Sequence, residues 1–242
     1  MFEENNNYYI ANQPVGTGTL ARSFMANVFL WMAVAMIVTA VTAFWFASDQ
    51  ALIGSLINFE TGKMTMLGWI VTLAPLGFVL LMSFGFQRLS PAILTLLFIT
   101  FSLLMGMSLS FIFLVYTPGS IYKTFLVTSG MFGVMAVLGY TTKTDLTRFG
   151  SIMMMGLFGM IIAMLVNFFL KSGTLDYIIS IIGVLVFTGM TAYDVQKLKK
   201  LGMSGVEGVA LRKVSILGAL TLYLDFINLF LFLLRFLGNR NN

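Results

Sequence analysis

The sequence predicts an all-α polytopic membrane protein with seven transmembrane helices. Three observations carry this. Hydrophobic residues make up 59% and charged residues 10% of the 242-residue chain, and the mean hydropathy is +0.95, a composition that takes the bilayer as its solvent. The apolar residues gather into runs of roughly 20, the length that spans about 30 Å of hydrocarbon at 1.5 Å per residue. The connections are mostly short, so consecutive helices are antiparallel neighbours in one bundle without a soluble domain.

Residues 1–22 read as a cytoplasmic N-terminal tail: the stretch is Asn-rich, carries Glu3 and Glu4, and lacks the basic start and small-residue cleavage site of a signal peptide. The seven runs lie at about 24–46, 66–86, 91–115, 121–141, 149–170, 176–197 and 214–237. They define a transmembrane domain over 23–238, followed by a short C-terminal tail, 239–242. Only the segments 47–65 and 198–213 have the length of real loops. Pro75 interrupts the second run and allows it to kink, and Pro91 opens the third. Ser102, Gly106 and Ser110 recur every fourth residue in the third run, a stripe that lets two backbones approach closely. Gly130 with Gly133 and Gly156 with Gly159 suggest weaker versions on the fourth and fifth runs. The 18 methionines read as adaptable packing rather than a soft-metal path, since no Cys or His accompanies them.

Absent residue types narrow the chemistry. Without cysteine there is no disulfide or thiolate site, and without histidine the usual zinc ligand and the commonest general base are missing. A net charge of +5 does not point to nucleic acid, because the basic residues are scattered through short loops, where they orient helices.

Two acidic residues cannot be assigned to tails or loops. Asp225 lies inside the seventh run, and Asp194 near the end of the sixth. A carboxylate near a helix centre costs about 2.5–3.5 kcal/mol on insertion scales, so its face turns to a bundle interior or a water-filled path. At 3.6 residues per turn Thr221, Asp225 and Asn228 share one face, and Thr188, Thr191 and Asp194 share another. If the two carboxylates meet in a desolvated site, one shared proton relieves their repulsion, the pair titrates as a unit, and the proton can be exchanged for a hard cation. Thr191, Thr221, Asn228 and backbone carbonyls are candidate supporting ligands. Asp194 alone could instead pair with Lys197 or Arg88. Counted from the far ends of their runs, Asp225 is about 15–20 Å deep and Asp194 nearer 27 Å, at 1.5 Å per residue. Tilt, side-chain reach or a longer seventh helix has to close that difference.

Three segments, Gly139-Tyr-Thr-Thr-Lys-Thr-Asp-Leu146, Gly189-Met-Thr-Ala-Tyr-Asp-Val-Gln-Lys-Leu-Lys199 and Gly218-Ala-Leu-Thr-Leu-Tyr-Leu-Asp-Phe-Ile-Asn-Leu-Phe230, closely resemble the signatures of the transmembrane Bax inhibitor motif family. The similarity runs from about Arg22 to Arg240 and is greatest to bacterial inner-membrane members, whose pattern also fits Gln87–Ser90 and Val127–Gly133. The resemblance implies a C-terminal helix at the centre, wrapped by the other six, and a pH-sensitive calcium leak. It makes Asp194 and Asp225 the paired proton-sensing aspartates and transient calcium ligands, with Tyr193 beside them and Arg88 near the basic residue that can engage the pair. It implies no enzyme activity and no cofactor; the partners are the bilayer, calcium and protons.

Two other functions fit the same residues. A non-conducting scaffold or regulator that binds a membrane protease would use the aspartates as a structural hydrogen bond. An intramembrane aspartyl protease would use them to activate water, but Asp225 stands in Tyr-Leu-Asp, where such proteases need Gly-x-Gly-Asp. A serine protease lacks its histidine base.

Orientation follows from charge. Arg22, Arg88, Lys143, Arg148, Lys197, Lys199, Lys200, Arg212 and Lys213 fall on the N-terminal side, and Lys63, Lys123, Lys171, Arg235 and Arg240 on the other. Nine against five places the N-terminus in the cytoplasm. Reporter fusions should therefore find the Arg88, Lys143 and Lys199 loops cytoplasmic and Asn242 on the opposite side; a cytoplasmic Asn242 would overturn the span count or the orientation.

Overall fold

The computed structural model describes residues 17–204, 206 and 208–241; most of the N-terminal tail and Asn242 lie outside them. Seven helices among these residues are long and apolar enough to cross a membrane. They are α1 (Thr17–Ser48), α3 (Met66–Gly85), α4 (Pro91–Leu109), α6 (Pro118–Thr141), α7 (Thr147–Leu170), α8 (Gly173–Gly202) and α9 (Gly208–Leu237), with short α2 (Gln50–Leu56) and α5 (Ile112–Val115) between them. Local chemistry starts them. Thr65, Ser90, Thr117 and Ser172 each accept a first-turn N–H with the side-chain oxygen, and Pro91 and Pro118 follow at the position where a missing N–H costs nothing. Lys171 closes α7 in the left-handed conformation at φ 49°, its N–H bonded to the Asn167 carbonyl.

The observed spans follow the expected runs, with two corrections. The 198–213 loop contracts to 203–207, because α8 continues through Lys199 and Lys200 to Gly202 and α9 starts at Gly208. Hydropathy marks where hydrocarbon ends, whereas helical hydrogen bonding continues into water. The 47–65 segment is likewise structured. Asp49 caps α2 through the Ala51 and Leu52 N–H groups, and a two-residue hairpin follows, β1 (Ile57–Asn58) against β2 (Lys63–Met64). Pro75 is accommodated inside a continuous α3.

α9 lies at the centre. It packs against α1, α4, α6 and α8, while α3 joins the bundle mainly through α4 and α7 mainly through α8. Much of α8 is buried with it. The outer helices turn apolar side chains outward, Phe169 of α7 being 80% exposed, as a lipid-facing surface should. One end of the bundle gathers the start of α1 and the turns after α3, α6 and α8: Gly202 abuts Phe24, Lys213 Nζ bonds the Phe86 carbonyl, and Lys199 Nζ bonds the Tyr140 carbonyl. At the other end the C-terminal segment pairs with the α5–α6 turn through a single bridge between Arg240 and Tyr116, Asn241 N–H donating to the Val115 carbonyl at 2.9 Å.

Hydrophobic attraction cannot hold helices together in lipid, so close backbone approach matters. The Ser102, Gly106, Ser110 stripe is buried and its first two residues meet α1. A Cβ on Gly106 would stand 2.6 Å from Thr42 Cβ and 2.7 Å from the Thr39 carbonyl oxygen. The expected contacts at Gly130, Gly133 and Gly159 are absent: nothing lies within 4 Å of a Cβ there, and only Val186 approaches one at Gly156. Closer approaches between spans lie elsewhere, with Gly139 against the Ala192 backbone and Gly150 beneath the Tyr193 ring.

Gly106→Leu should therefore force α1 and α4 apart and cost at least the 1–3 kcal/mol, about, that overpacking costs, seen as loss of extractable protein or a lower melting temperature. Gly130→Ala should be neutral or slightly stabilising, since alanine is the better helix former by roughly 1 kcal/mol. Equal melting of the two variants would show that neither glycine serves a helix contact.

Candidate functional site

α8 and α9 are antiparallel partners, and their register is set by side chains seated on glycines. The Phe232 ring lies over Gly183, where a Cβ would come within 2.5 Å of it, and Leu198 lies over Gly218 at 2.7 Å. Phe187 stacks on Phe232 with ring centroids 5.8 Å apart. Asp194 and Asp225 both lie between these two contacts. Both residues are 5% exposed, and their carboxyl groups lie within side-chain hydrogen-bonding reach of each other. The depth difference expected from the run ends is closed by axial stagger of the two helices and by side-chain reach.

The pair has few other partners. Asp225 Oδ2 is buried and receives no hydrogen bond from a protein donor among the described residues. Among the described residues neither aspartate joins an ion pair; the salt bridges there are Lys200–Asp145 and Arg235–Asp176. Lys197, one turn along α8 and exposed at the surface, is the cation whose field reaches Asp194.

The other residues singled out from sequence fare differently. Thr191 is fully buried one turn from Asp194, its hydroxyl donating to the Phe187 carbonyl at 2.8 Å; Thr221, one turn from Asp225, donates to Leu217 at 3.1 Å. Both hydroxyls thus retain only lone pairs. Asn228 is half-buried on the same face of α9, at the level of Thr188, whose buried Oγ1 also lacks a partner. Tyr193 is not at the pair. It faces α7 over Gly150 and approaches Lys197, 5.8 Å from the ring centroid. Arg88 sits exposed in the turn after α3 and forms no ion pair with either aspartate; that turn is tied to α9 by Lys213 instead, through the Phe86 and Gln87 carbonyls.

Two arrangements escape sequence reasoning. On the side of α9 away from Asp225, the buried Tyr223 hydroxyl lies 2.7 Å from Thr39 Oγ1, which donates to the Ser102 carbonyl, while Phe98 and Phe101 pack edge-on against the ring. This locks α9 to α1 and α4. The second clamps the α6–α7 turn to α8. Gln196 Oε1 accepts the Leu146 N–H at 2.8 Å and Nε2 donates to the Thr144 carbonyl at 2.7 Å. Lys199 reaches the Tyr140 carbonyl, and Lys200 pairs with Asp145 at 2.6 Å. The hydrogen bond from Lys200, with those from Thr147, holds the Asp145 carboxyl down to about 2. Its contribution to stability is complete above the ordinary aspartate value of about 3.9 and is lost as pH falls toward 2, so it is constant through the neutral range.

A family model described as "Inhibitor of apoptosis-promoting Bax1" matches residues 21–242. The chain is 49% identical over 221 residues to inner membrane protein YbhL of Escherichia coli K12, covering 90% of this chain and 92% of that one. It is 44% identical over 221 residues to an uncharacterized protein of Rickettsia prowazekii, covering 91% of each, and 40% identical over 218 residues to one of Deinococcus radiodurans, covering 90% of each.

Gln196→Leu keeps the apolar stem but leaves the Leu146 N–H and Thr144 carbonyl unpaired, and should cost about 1–3 kcal/mol, read as a lower melting temperature. Lys200→Gln, at an exposed pair, should shift it little. The reverse order would show that the ion pair, not the glutamine, holds the turn.

Proposed function

The chain belongs to the Bax inhibitor-1 family, and we propose that it is a pH-sensitive calcium leak channel gated by Asp194 and Asp225 sharing one proton. One observation supports this above the rest: two carboxyl groups face each other inside the bundle, and Asp225 Oδ2 has no protein donor among the described residues. A proton held between them supplies that donor and removes one of two charges from hydrocarbon. Loss of the proton leaves two like charges that must separate or recruit a cation. Calcium takes six to eight oxygen ligands, about; the seam offers two carboxylates, the lone pairs of Thr191 and Thr221, and backbone carbonyls. That set suits an ion in passage rather than a resident one.

This reading makes the protein a channel and not an enzyme. YbhL is named an inner membrane protein, and the same membrane is assigned here, with the N-terminus cytoplasmic on the nine-to-five basic bias. Asp145 keeps its charge through neutrality, so a neutral-range response has to come from elsewhere.

Calcium flux into proteoliposomes across a pH series tests the proposal. Asparagine keeps the size and hydrogen-bonding capacity of aspartic acid but cannot ionise, so Asp194→Asn and Asp225→Asn should each flatten the pH response with the fold retained. The double variant should add little, because one pair is one switch. A double variant that responds to pH as the wild type does would overturn the dyad and leave the scaffold reading.

A further inference from the structure

Three of the four helices that begin at the N-terminal end of the bundle, α1, α4 and α9, do not close on one another there. A cavity of about 410 Å³ lies between them, lined by Asn27 and Trp31 of α1, Pro91 and Thr95 of α4, and Arg212 and Ser215 of α9. The volume falls within the range of small-ligand pockets, about 300–1,000 Å³. The lining is cationic or neutral throughout. Arg212 is exposed at its edge, and Asn27 and the Trp31 indole add neutral donors, while the Ser215 hydroxyl is spent on the Leu211 carbonyl. Lys213, beside Arg212, adds charge where it grips the turn after α3.

What lies deeper decides the occupant. On the same faces of α1 and α4, within a turn of the lining residues, Leu30 and Leu96 are 60% and 66% exposed, so the donor cluster continues directly into lipid-facing hydrocarbon. A soluble anion would use only the first part of this surface. A molecule with an anionic head and apolar chains uses both, with the planar guanidinium fork matching two phosphate oxygens.

From this juxtaposition we infer that the cavity between α1, α4 and α9 binds the headgroup of an anionic phospholipid, with Arg212 holding the phosphate and the acyl chains lying along Leu30 and Leu96. The site is separate from the Asp194–Asp225 pair, and it stands whether or not the protein conducts calcium.

The test is thermal unfolding of the purified full-length protein in detergent, with phosphatidylglycerol, phosphatidylcholine or inorganic phosphate added at matched concentration. A ligand that binds the folded state raises its melting temperature. Phosphatidylglycerol should raise it by several degrees more than phosphatidylcholine, and inorganic phosphate should not reproduce the shift. Arg212→Gln should remove most of the difference between the lipids, and Arg212→Lys, which keeps the charge without the fork, should remove part of it. Arg22→Gln, in the neighbouring groove between α1 and α6, should leave the difference intact and so separates a specific site from general attraction to a basic surface. Equal stabilisation by both lipids, a full difference in Arg212→Gln, an equal loss in Arg22→Gln, or an inorganic phosphate shift matching that of phosphatidylglycerol would overturn the assignment.

Discussion

Two carboxyl groups are held in a molecule whose solvent is hydrocarbon, and the arrangement of the helices answers to that. Each would cost several kcal/mol, about, if turned toward lipid. Apolar side chains give no counterweight, since lipid tails are as apolar as leucine and helices gain little by burying leucine against leucine. The order of the bundle is therefore set by polarity and by fit. α8 and α9, which carry the aspartates, are the most buried spans, and α7, which has no acidic residue and a single cation, Arg148, in its first turn, is the least.

α9 has two unlike sides. Toward α8 it presents Asp225 with no fixed donor on Oδ2. Toward α1 and α4 it presents Tyr223, fully buried, hydrogen-bonded to Thr39 and enclosed by Phe98 and Phe101. The second side is satisfied and close-packed, and interiors of that kind resist small displacements. A change in the separation of the carboxyl groups would thus be borne by α8 rather than shared equally. α8 in turn carries Gln196, Lys199 and Lys200, which grip the α6–α7 turn. The acidic pair and that turn are linked through a single rigid helix.

The spans were legible in the sequence because run length and polarity map directly onto bilayer thickness. The facing of Asp194 and Asp225 was legible because a charge in an apolar run leaves few places to point. The Ser102–Gly106 stripe was legible from its four-residue spacing, yet glycines spaced by three on α6 face open space; small residues permit close approach without requiring it. Gln196 and Tyr223 gave no signal of their own. An uncharged side chain at a helix end and an aromatic in an apolar run look the same whether or not a partner 50 or 184 residues away awaits them. Arg88 failed for the opposite reason: a basic residue in a turn has several aqueous directions open to it, and sequence does not choose among them. The ends of α8 and α9 were misjudged because charged residues leave the membrane without leaving the helix.

That last error bears directly on the acidic pair. Measured from the ends of the apolar runs, the aspartates differ in depth, and a hairpin whose helices ended flush would keep them apart. Stagger brings their carboxyl groups within reach of each other, and stagger is free to vary unless something fixes it. Here two knobs fix it, one on each helix. Phe232 of α9 enters the notch at Gly183, and Leu198 of α8 enters the notch at Gly218. The contacts lie on either side of the pair and are directed oppositely, so sliding α8 along α9 in either direction drives a side chain out of its notch and into a neighbouring turn. The carboxyl groups cannot attract each other into register, since two like charges repel and their shared proton forms a bond only after they meet. Apolar side chains and absent ones bring them together, and the proton then occupies a position that the packing has already made.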